Sequence, residues 1–100
     1  MISRQWRGLA KRERADDYAE HLRGETFPAI RKIPGFVSAS ILRRDVEQGV
    51  EFLIVTEWKS LEAIRKFAGA DAETAVVPRK VQVMMIEYDQ RVRHYEIVDG

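Results

Sequence analysis

The two histidines of the chain, His21 and His94, are its first candidates for a catalytic base. Histidine is the side chain that most often transfers protons near neutral pH. At about 100° per residue, His21 lies about 120° from the centre of the apolar stripe of a predicted helix, which favours an exposed position. His94 lies beside Tyr95 and Glu96 in a segment of alternating polarity, which favours an interface between subunits. Neither histidine has neighbours at the spacing of a zinc site or a facial triad, so the sequence predicts no metal.

The chain lacks the motifs on which several other chemistries depend. It has no cysteine, which excludes disulfides, thiolate metal sites and a cysteine nucleophile. No G-x-G-x-x-G or Walker pattern is present to bind a nucleotide cofactor. The serines lie outside any nucleophile-elbow motif. The sequence therefore predicts a protein that uses no cofactor.

Aromatic residues from separate segments can meet beneath the predicted helices. Trp6, Trp58 and Phe67 can converge there, with Tyr18 on the helix above. One interpretation is a packed core. The other is an apolar pocket for a flat aromatic ligand, with Trp6, Trp58 and Phe67 as its walls.

Hydrophobic periodicity predicts the elements that would position these side chains. A first helix spans Lys11 to Ile33, and Pro28 should kink or break it. A second lies between an N-cap at Ser60 and a C′ residue at Gly69, and a further turn capped by Asp71 should end before Pro78. Strands are predicted over Ile2–Leu9, Phe36–Arg44, Val50–Trp58, Val81–Tyr88 and Arg91–Val98. This βαββαβ order with an extra C-terminal strand predicts an α+β, ferredoxin-like protomer.

Size and charge restrict the partners of the protein. One hundred residues and 11.6 kDa suit one domain, which we expect to span residues 1–100. A formal net charge of +1 with interspersed signs is unlike the clustered basic surplus of nucleic-acid-binding proteins. No apolar run reaches the ~20 residues that cross a bilayer, and the N-terminal residues lack the apolar stretch of a signal peptide. We therefore expect a cytoplasmic protein that binds neither nucleic acid nor membranes.

The predicted sheet is apolar on both faces. In the strand Val50–Trp58, Phe52 and Ile54 point one way while Leu53 and Val55 point the other. Helices cover one face only, and an exposed apolar patch of this size is unusual for a monomer. The sequence therefore predicts a homodimer in which two sheets pack face to face.

The stretch FLIVTEWKSLEA over residues 52–63, followed by Phe67, resembles the antibiotic biosynthesis monooxygenase-like domains of the dimeric α/β barrel superfamily. Pro34-Gly35 and the closing RHYEIV over residues 93–98 are also similar to small bacterial members. The resemblance covers nearly the whole chain and follows the predicted order of elements. It implies that two ferredoxin-like protomers pack their sheets into a dimeric α/β barrel.

The resemblance also implies activities. Members include cofactor-independent oxygenases that act on polycyclic phenols or quinols. The resemblance places Trp58 at the wall of a substrate cavity and Arg79 near the position of a cavity arginine. Ile54 and Ile64 stand where these oxygenases have an asparagine and a tyrosine.

Haem-degrading enzymes form another branch of the same group. Phe67 stands at the position of their tryptophan, and Val77 stands near the position of their iron-binding histidine. Because two haem determinants are missing, haem degradation is not expected.

The predicted function is thus a cofactor-independent monooxygenase that acts on an aromatic phenol or quinol in an apolar cavity between sheet and helices. Arg79 or Arg4 would stabilise the phenolate, and His21 or His94 would take its proton. The alternative is a non-catalytic dimeric module that binds a small hydrophobic metabolite, or a member of the fold with no small-molecule role. The two differ in whether the aromatic residues line a pocket or fill the core.

Overall fold

The computed structural model describes all residues from 1 to 100. The strands are β1 (Ile2–Ala10), β2 (Phe36–Asp45), β3 (Val50–Trp58), β4 (Met85–Tyr88) and β5 (Arg93–Glu96). The helices are α1 (Ala15–His21), α2 (Phe27–Ile30), α3 (Leu61–Ala68) and α4 (Arg79–Gln82). A 3₁₀ turn over Arg12–Arg14 precedes α1, and a π-helical segment over Leu22–Thr26 joins α1 to α2.

The strands form one antiparallel sheet in the order β2-β3-β1-β4. Strands β1 and β3 pair from Ile2 opposite Trp58 to Ala10 opposite Val50. The other edge of β1 is shared, with β4 beside its C-terminal end and β5 beside its N-terminal end. This is the ferredoxin-like arrangement with an extra C-terminal strand, so the predicted fold is confirmed.

The helices cover one face of the sheet. Along β3, Phe52, Ile54 and Trp58 point beneath the helices and are buried, whereas Leu53 and Val55 are half-buried on the opposite face. The buried apolar side chains beneath the helices form one cluster with contributions from β1, β3, α1 and α3. The expected two-sided apolar pattern of β3 is therefore present, and the second face has no helix over it.

The first helical region is interrupted where proline predicts it. Pro28 has no amide hydrogen, so one carbonyl of the preceding turn has no α-helical donor. The backbone over Leu22–Thr26 widens into a π turn, in which the Phe27 amide donates to the Leu22 carbonyl. The predicted break is confirmed, and its form is a wider helical turn.

The fourth strand is shorter than predicted. The segment Val81–Tyr88 is extended only from Met85 onward, because Arg79–Gln82 fold as α4. Pro78 precedes this helix rather than ending an earlier one, which suits proline because the amides of a first turn need no helical partner. The predicted fifth strand is likewise confined to Arg93–Glu96.

The helix caps form largely as predicted. Ser60 Oγ accepts a hydrogen bond of 3.2 Å from the Ala63 amide, and Gly69 ends α3 with φ of 93°, a conformation that favours glycine. The helical turn predicted after Asp71 is wrong: the Asp71 carboxylate accepts from the Glu73 amide in a non-helical turn. None of the helices has the length and hydropathy needed to span a membrane.

Candidate functional site

A cleft opens between the sheet and the first helical region. It has a cavity volume of about 70 Å³ and is partly open to solvent. Its lining residues are Arg4, Trp6, Tyr18, Leu22, Thr26, Phe27, Ile30, Ile54, Thr56, Phe67, Val76 and Val92. Most of them are hydrophobic and only Arg4 carries a charge, which is the usual make-up of a small-molecule site.

Arg4 lies on the inward face of β1 and is only 4% exposed. Its guanidinium donates to the Ala72 carbonyl and, over 2.8 Å, to the Thr74 carbonyl. Its Cζ atom lies 5.6 Å from the centre of the Phe67 ring. No carboxylate forms an ion pair with Arg4. Burial lowers the pKa of Arg4 to about 10, so at neutral pH the cleft contains a desolvated cation without a counter-ion.

Two donors of the cleft have no partner within the chain. They are the Arg4 Nε–H and the Tyr18 hydroxyl. Since no side-chain nitrogen or oxygen is both buried and unpartnered, both groups remain accessible. Burial raises the pKa of Tyr18 above its usual value, so its hydroxyl stays protonated. These donors suit a ligand that presents an oxygen, and an anionic oxygen above all.

His94 contacts Arg4 rather than the cleft. The guanidinium of Arg4 donates to His94 Nε2 over 3.0 Å, which places the proton of the neutral ring on Nδ1. Burial, followed by the positive charge of Arg4, lowers the pKa of His94. His94 does not line the cleft, and its position suits the orientation of Arg4.

His21 is buried, so its predicted exposure is wrong. It is 8% exposed and lies against Val77 and Pro78 in a space that adjoins the cleft. Its Nε2 lies 3.1 Å from Thr26 Oγ1, and its Nδ1 lies 3.4 Å from Glu25 Oε2. The prediction assumed a uniform α-helical step, whereas the backbone widens directly after His21.

Glu25 links this cluster to the second half of the chain. Lys80 Nζ donates to both Glu25 carboxylate oxygens, each over 2.8 Å. The hydrogen bond from Lys80 is the main reason why the pKa of Glu25 is lowered, and the bond from His21 adds to it. The carboxylate beside His21 is therefore ionised at neutral pH.

Of the three aromatic residues predicted as cavity walls, two line the cleft and one lies in the core. Trp6 lines the cleft, and its Nε1 donates to the Asp89 carbonyl over 2.9 Å. Phe67 lines it as well, whereas Trp58 is fully buried behind Phe67, with a ring separation of 6.1 Å. The indole of Trp58 donates over 2.8 Å to Thr56 Oγ1, so its polar atom is already satisfied. Trp58 thus supports the wall and does not form it.

Arg79 lies outside the cleft. It is the first residue of α4, and its side chain is exposed and makes no hydrogen bond within the chain. Of the two predicted arginines, Arg4 on β1 lines the cleft and Arg79 on α4 does not. Thr26 lines the cleft without having been predicted. The available sequence signal for it is Pro28, which marks where the helix must widen.

The comparisons with known proteins agree on one family and one fold. The family model for antibiotic biosynthesis monooxygenase matches residues 1–79. A crystallised candidate antibiotic biosynthesis monooxygenase from Bacillus cereus is similar, with a TM-score of 0.70 at 21% identity, over 100% of this chain and 94% of that one. Among curated proteins, none matches the sequence.

Two further solved structures are similar in fold and contain ligands. One is a monooxygenase from the ActVA-Orf6 gene of Streptomyces coelicolor in complex with nanaomycin D, at TM-score 0.65 and 18% identity, over 99% of this chain and 88% of that one. The other is the heme-degrader MhuD of Mycobacterium tuberculosis with two hemes in its active site. Its TM-score is 0.61 at 20% identity, over 100% of this chain and 98% of that one. At these identities the likeness shows the fold.

The donors at the cleft do not fit a haem. An axial iron ligand needs a free nitrogen, sulfur or phenolate. His21 is the histidine nearest the cleft, and both its ring nitrogens have partners in the chain. Tyr18 stays protonated, and Val77 lies where the family resemblance places the iron-binding histidine. The chain also has no group of three or more histidines and carboxylates that could hold a metal ion.

Proposed function

Because the chain belongs to the antibiotic biosynthesis monooxygenase family, we propose that it is a cofactor-independent monooxygenase whose substrate is an aromatic phenol or quinol bound in the cleft. The observation that carries this proposal is Arg4, a buried cation without a counter-ion in an apolar cleft. Such a cation favours an anionic ligand over a neutral one. An aromatic phenolate combines an apolar ring with a negative oxygen, and these are the two features that the cleft suits.

The proposed reaction balances with molecular oxygen as the sole co-reactant. For a phenol with a ring hydrogen para to the hydroxyl, a base first takes the hydroxyl proton. The phenolate passes one electron to oxygen, and the resulting superoxide forms a C–O bond at the para carbon. The peroxide takes back the proton, and then the ring C–H and the O–O bond break to give a para-quinone and water. The phenol loses four electrons, and the oxygen molecule gains them.

The residues of the cleft have separate roles in this reaction. Arg4 stabilises the phenolate and the peroxide anion, and its effect is strengthened because apolar walls exclude water. Trp6 and Phe67 hold the flat ring, which fixes the carbon that oxygen attacks. The Tyr18 hydroxyl donates a hydrogen bond to a ligand oxygen. Arg79, which was the other candidate for the phenolate, has no role in this proposal.

A second candidate function is favoured by two apolar positions. Ile54 lines the cleft and Ile64 is fully buried, whereas the resemblance places an asparagine and a tyrosine there in phenol oxygenases. A cleft with a cation and without those side chains suits a non-catalytic module that binds an aromatic anion. The two functions predict the same ligand and differ in whether oxygen is consumed.

The test uses 1-naphthol, whose carbon para to the hydroxyl bears a hydrogen. We expect it to raise the melting temperature, since a ligand at 100 times its dissociation constant stabilises the folded state by about 2.7 kcal/mol. Oxygen uptake should accompany binding, and labelled oxygen should appear once in naphthoquinone and once in water. Binding without uptake would favour the second candidate. Absence of binding to 1-naphthol and to a panel of larger phenols would contradict both.

The homodimer is part of the same proposal. On the second face of the sheet, Leu42 is 47% exposed, and it pairs across the strands with the half-buried Leu53. Charged side chains border this apolar patch, where Glu51 accepts from Arg7 and from Arg44, each over 2.7 Å. An apolar centre with a polar rim is typical of a subunit interface. We therefore propose that two copies of the chain pack these faces together into an α/β barrel.

Sedimentation tests the dimer with a matched pair of variants. The wild-type chain should sediment at twice its mass of 11.6 kDa. Val55→Asp introduces a charge in the centre of the face and should shift the protein to monomer. Leu61→Asp, at an exposed position on the helical side, should leave the mass unchanged. A wild-type mass of one chain at micromolar concentration would contradict the dimer.

A further inference from the structure

A line of three polar side chains runs from the cleft into the π-helical segment. Thr26 lines the cleft, its Oγ1 lies 3.1 Å from His21 Nε2, and His21 Nδ1 lies 3.4 Å from Glu25 Oε2. We propose that Thr26, His21 and Glu25 form a proton relay that removes the hydroxyl proton of a phenol bound in the cleft. This inference rests on the proposed function, and it names the base that the proposed reaction needs.

The π turn is what brings Thr26 to His21. Residues five apart in a regular α-helix lie about 140° apart around the axis and cannot share a hydrogen bond. The widened turn over Leu22–Thr26, closed by the bond from the Phe27 amide to the Leu22 carbonyl, places them on the same side. A single π turn within a helix is often found at a functional site. Pro28, which prevents the regular helix, therefore also positions the relay.

Glu25 orients the imidazole. An ionised carboxylate accepts a hydrogen bond from the N–H of His21 Nδ1, and the lone pair of Nε2 then points to Thr26. Lys80 donates to both oxygens of Glu25 and keeps it ionised. The contact of 3.4 Å between Nδ1 and the carboxylate is long, as contacts of a catalytic base often are without ligand. Glu25 is thus a positioning residue, and it acts through His21.

The proton that leaves the phenol is accounted for by two transfers within the relay. The phenol O–H bond breaks as its proton passes to Thr26 Oγ1. At the same time the Thr26 hydroxyl proton passes to His21 Nε2, which leaves a phenolate in the cleft and an imidazolium beside Glu25. The reverse transfer returns the proton to the peroxide that forms after oxygen attack. Arg4 and Thr26 line the same cleft, so the anion forms where a cation is available.

Few other titratable groups face His21. Lys80 reaches it through Glu25, and the Lys66 side chain of α3 borders a shallow groove that His21 also borders. Tyr18 shares the space next to the cleft and stays protonated. The pH profile of the rate is therefore compared between the wild-type protein and variants of His21 and Glu25.

The first measurement is made without oxygen, so that ionisation is separated from oxidation. Rapid mixing of the protein with 1-naphthol should show the phenolate absorption band growing as the ligand binds. Thr26→Val and His21→Gln should slow this step by about 10²–10⁴-fold, the usual contribution of a positioned base. Thr26→Ser keeps the hydroxyl and should restore most of the rate. The affinity for 1-methoxynaphthalene, which has no proton to lose, should stay within about threefold in every variant.

The second measurement is the pH profile of phenolate formation. In the wild-type protein the rate should reach a plateau as pH rises, whereas in His21→Gln it should keep rising with hydroxide concentration. Glu25→Gln should move the plateau of the profile, and Glu20→Gln, an exposed acid on the same helical region, should not. A merely structural role for Glu25 would change stability and leave the plateau in place.

Each outcome bears on one proposal or the other. Phenolate formation by the relay without oxygen uptake would support the relay and contradict the monooxygenase. Oxygen uptake with unchanged rates in Thr26→Val and His21→Gln would overturn the relay and leave the monooxygenase standing. Loss of 1-methoxynaphthalene binding in Thr26→Val would also overturn the relay, because Thr26 would then only shape the cleft. Absence of phenolate in the wild-type protein at a pH where free 1-naphthol is neutral would overturn both.

Discussion

Replacement of Arg4 by methionine should weaken the binding of an anion strongly and change the stability of the protein only slightly. Methionine fills the space of the aliphatic stem of arginine and adapts to irregular apolar surroundings. It removes the only charge that lines the cleft. The matched control is Arg79→Met, which removes an exposed arginine outside the cleft. The two variants have the same net charge and differ in location.

The expected change in stability is small because two effects oppose each other. Burial lowers the pKa of Arg4 to about 10, and this shift corresponds to about 3 kcal/mol of unfavourable free energy for burying the cation. This penalty is fully present below pH 10, where the side chain is charged in both the folded and the unfolded chain, and methionine removes it. The Ala72 carbonyl loses its donor, which costs about 1–3 kcal/mol, while the exposed Thr74 can be rehydrated. We expect the free energy of unfolding to change by less than about 2 kcal/mol.

The expected change in anion binding is large. A hydrogen bond to a charged group contributes about 1.5–3 kcal/mol, which is about 10- to 150-fold in affinity. Arg4→Met should weaken binding of ionised 1-naphthol by this factor. Binding of 1-methoxynaphthalene, which has the same rings and no ionisable proton, should change by less than about threefold, because its affinity depends on apolar contact.

Isothermal titration at a pH below the pKa of Arg4, but high enough to ionise part of the free 1-naphthol, measures both ligands against both variants, with the naphthol affinity expressed per ionised molecule. We expect the loss for the naphtholate with Arg4→Met and no loss with Arg79→Met. Equal affinity of wild type and Arg4→Met for the naphtholate would refute the assignment of Arg4 as the anion site. A loss confined to Arg79→Met would show that the position expected from family resemblance is right and that the geometric reasoning is wrong.

Three further substitutions test the supports of the cleft. Burial and the charge of Arg4 lower the pKa of His94, so stability is lost as pH falls from the ordinary histidine pKa through the folded-state pKa. His94→Gln keeps the acceptor for Arg4, so its melting temperature should fall less than that of the wild type as the solution is made more acidic. Trp58→Phe should lower the free energy of unfolding in urea by about 1–3 kcal/mol and leave 1-naphthol affinity within about threefold, because Trp58 is fully buried and does not line the cleft. Gly8→Ala should shift the tryptophan fluorescence and weaken 1-naphthol binding, because a Cβ at Gly8 would overlap the indole of Trp6.

The parts of the fold that local chemistry determines were predictable from the sequence. β3 has the predicted bounds, because alternating apolar residues end in a polar turn on one side and a capping serine on the other. The caps at Ser60 and Gly69 follow from side-chain and backbone preferences that need no tertiary contact. The segment Val81–Tyr88 has two local interpretations, since proline at a first turn favours a helix while alternation favours a strand. Helix α4 forms and shortens the strand, a result that periodicity alone does not predict.

The candidate site was less predictable, because its polar groups depend on small departures from regular geometry. A uniform α-helix would leave His21 exposed, whereas the π turn that follows it in the structure leaves it buried. The only sequence feature that predicts this turn is Pro28. Glu25 meets Lys80 across 55 positions of the chain, a contact that no local pattern contains. Arg79 is exposed and lies outside the cleft because Pro78 starts a helix there, a placement that periodicity along the chain did not predict.

One feature of the sequence does predict the site, and it is the position of Arg4 in β1. Alternation along β1 assigns Ile2, Arg4, Trp6 and Ala10 to the same inward face, which puts an arginine among core positions. A charged residue at such a position is rarely fully buried unless it has a partner of opposite charge, and no carboxylate pairs with Arg4. Positions where local rules break without compensation within the chain are often functional. An inward arginine that lacks a counter-ion therefore predicts an anion from outside the chain, and the same argument can be applied to other small sheets before their structures are known.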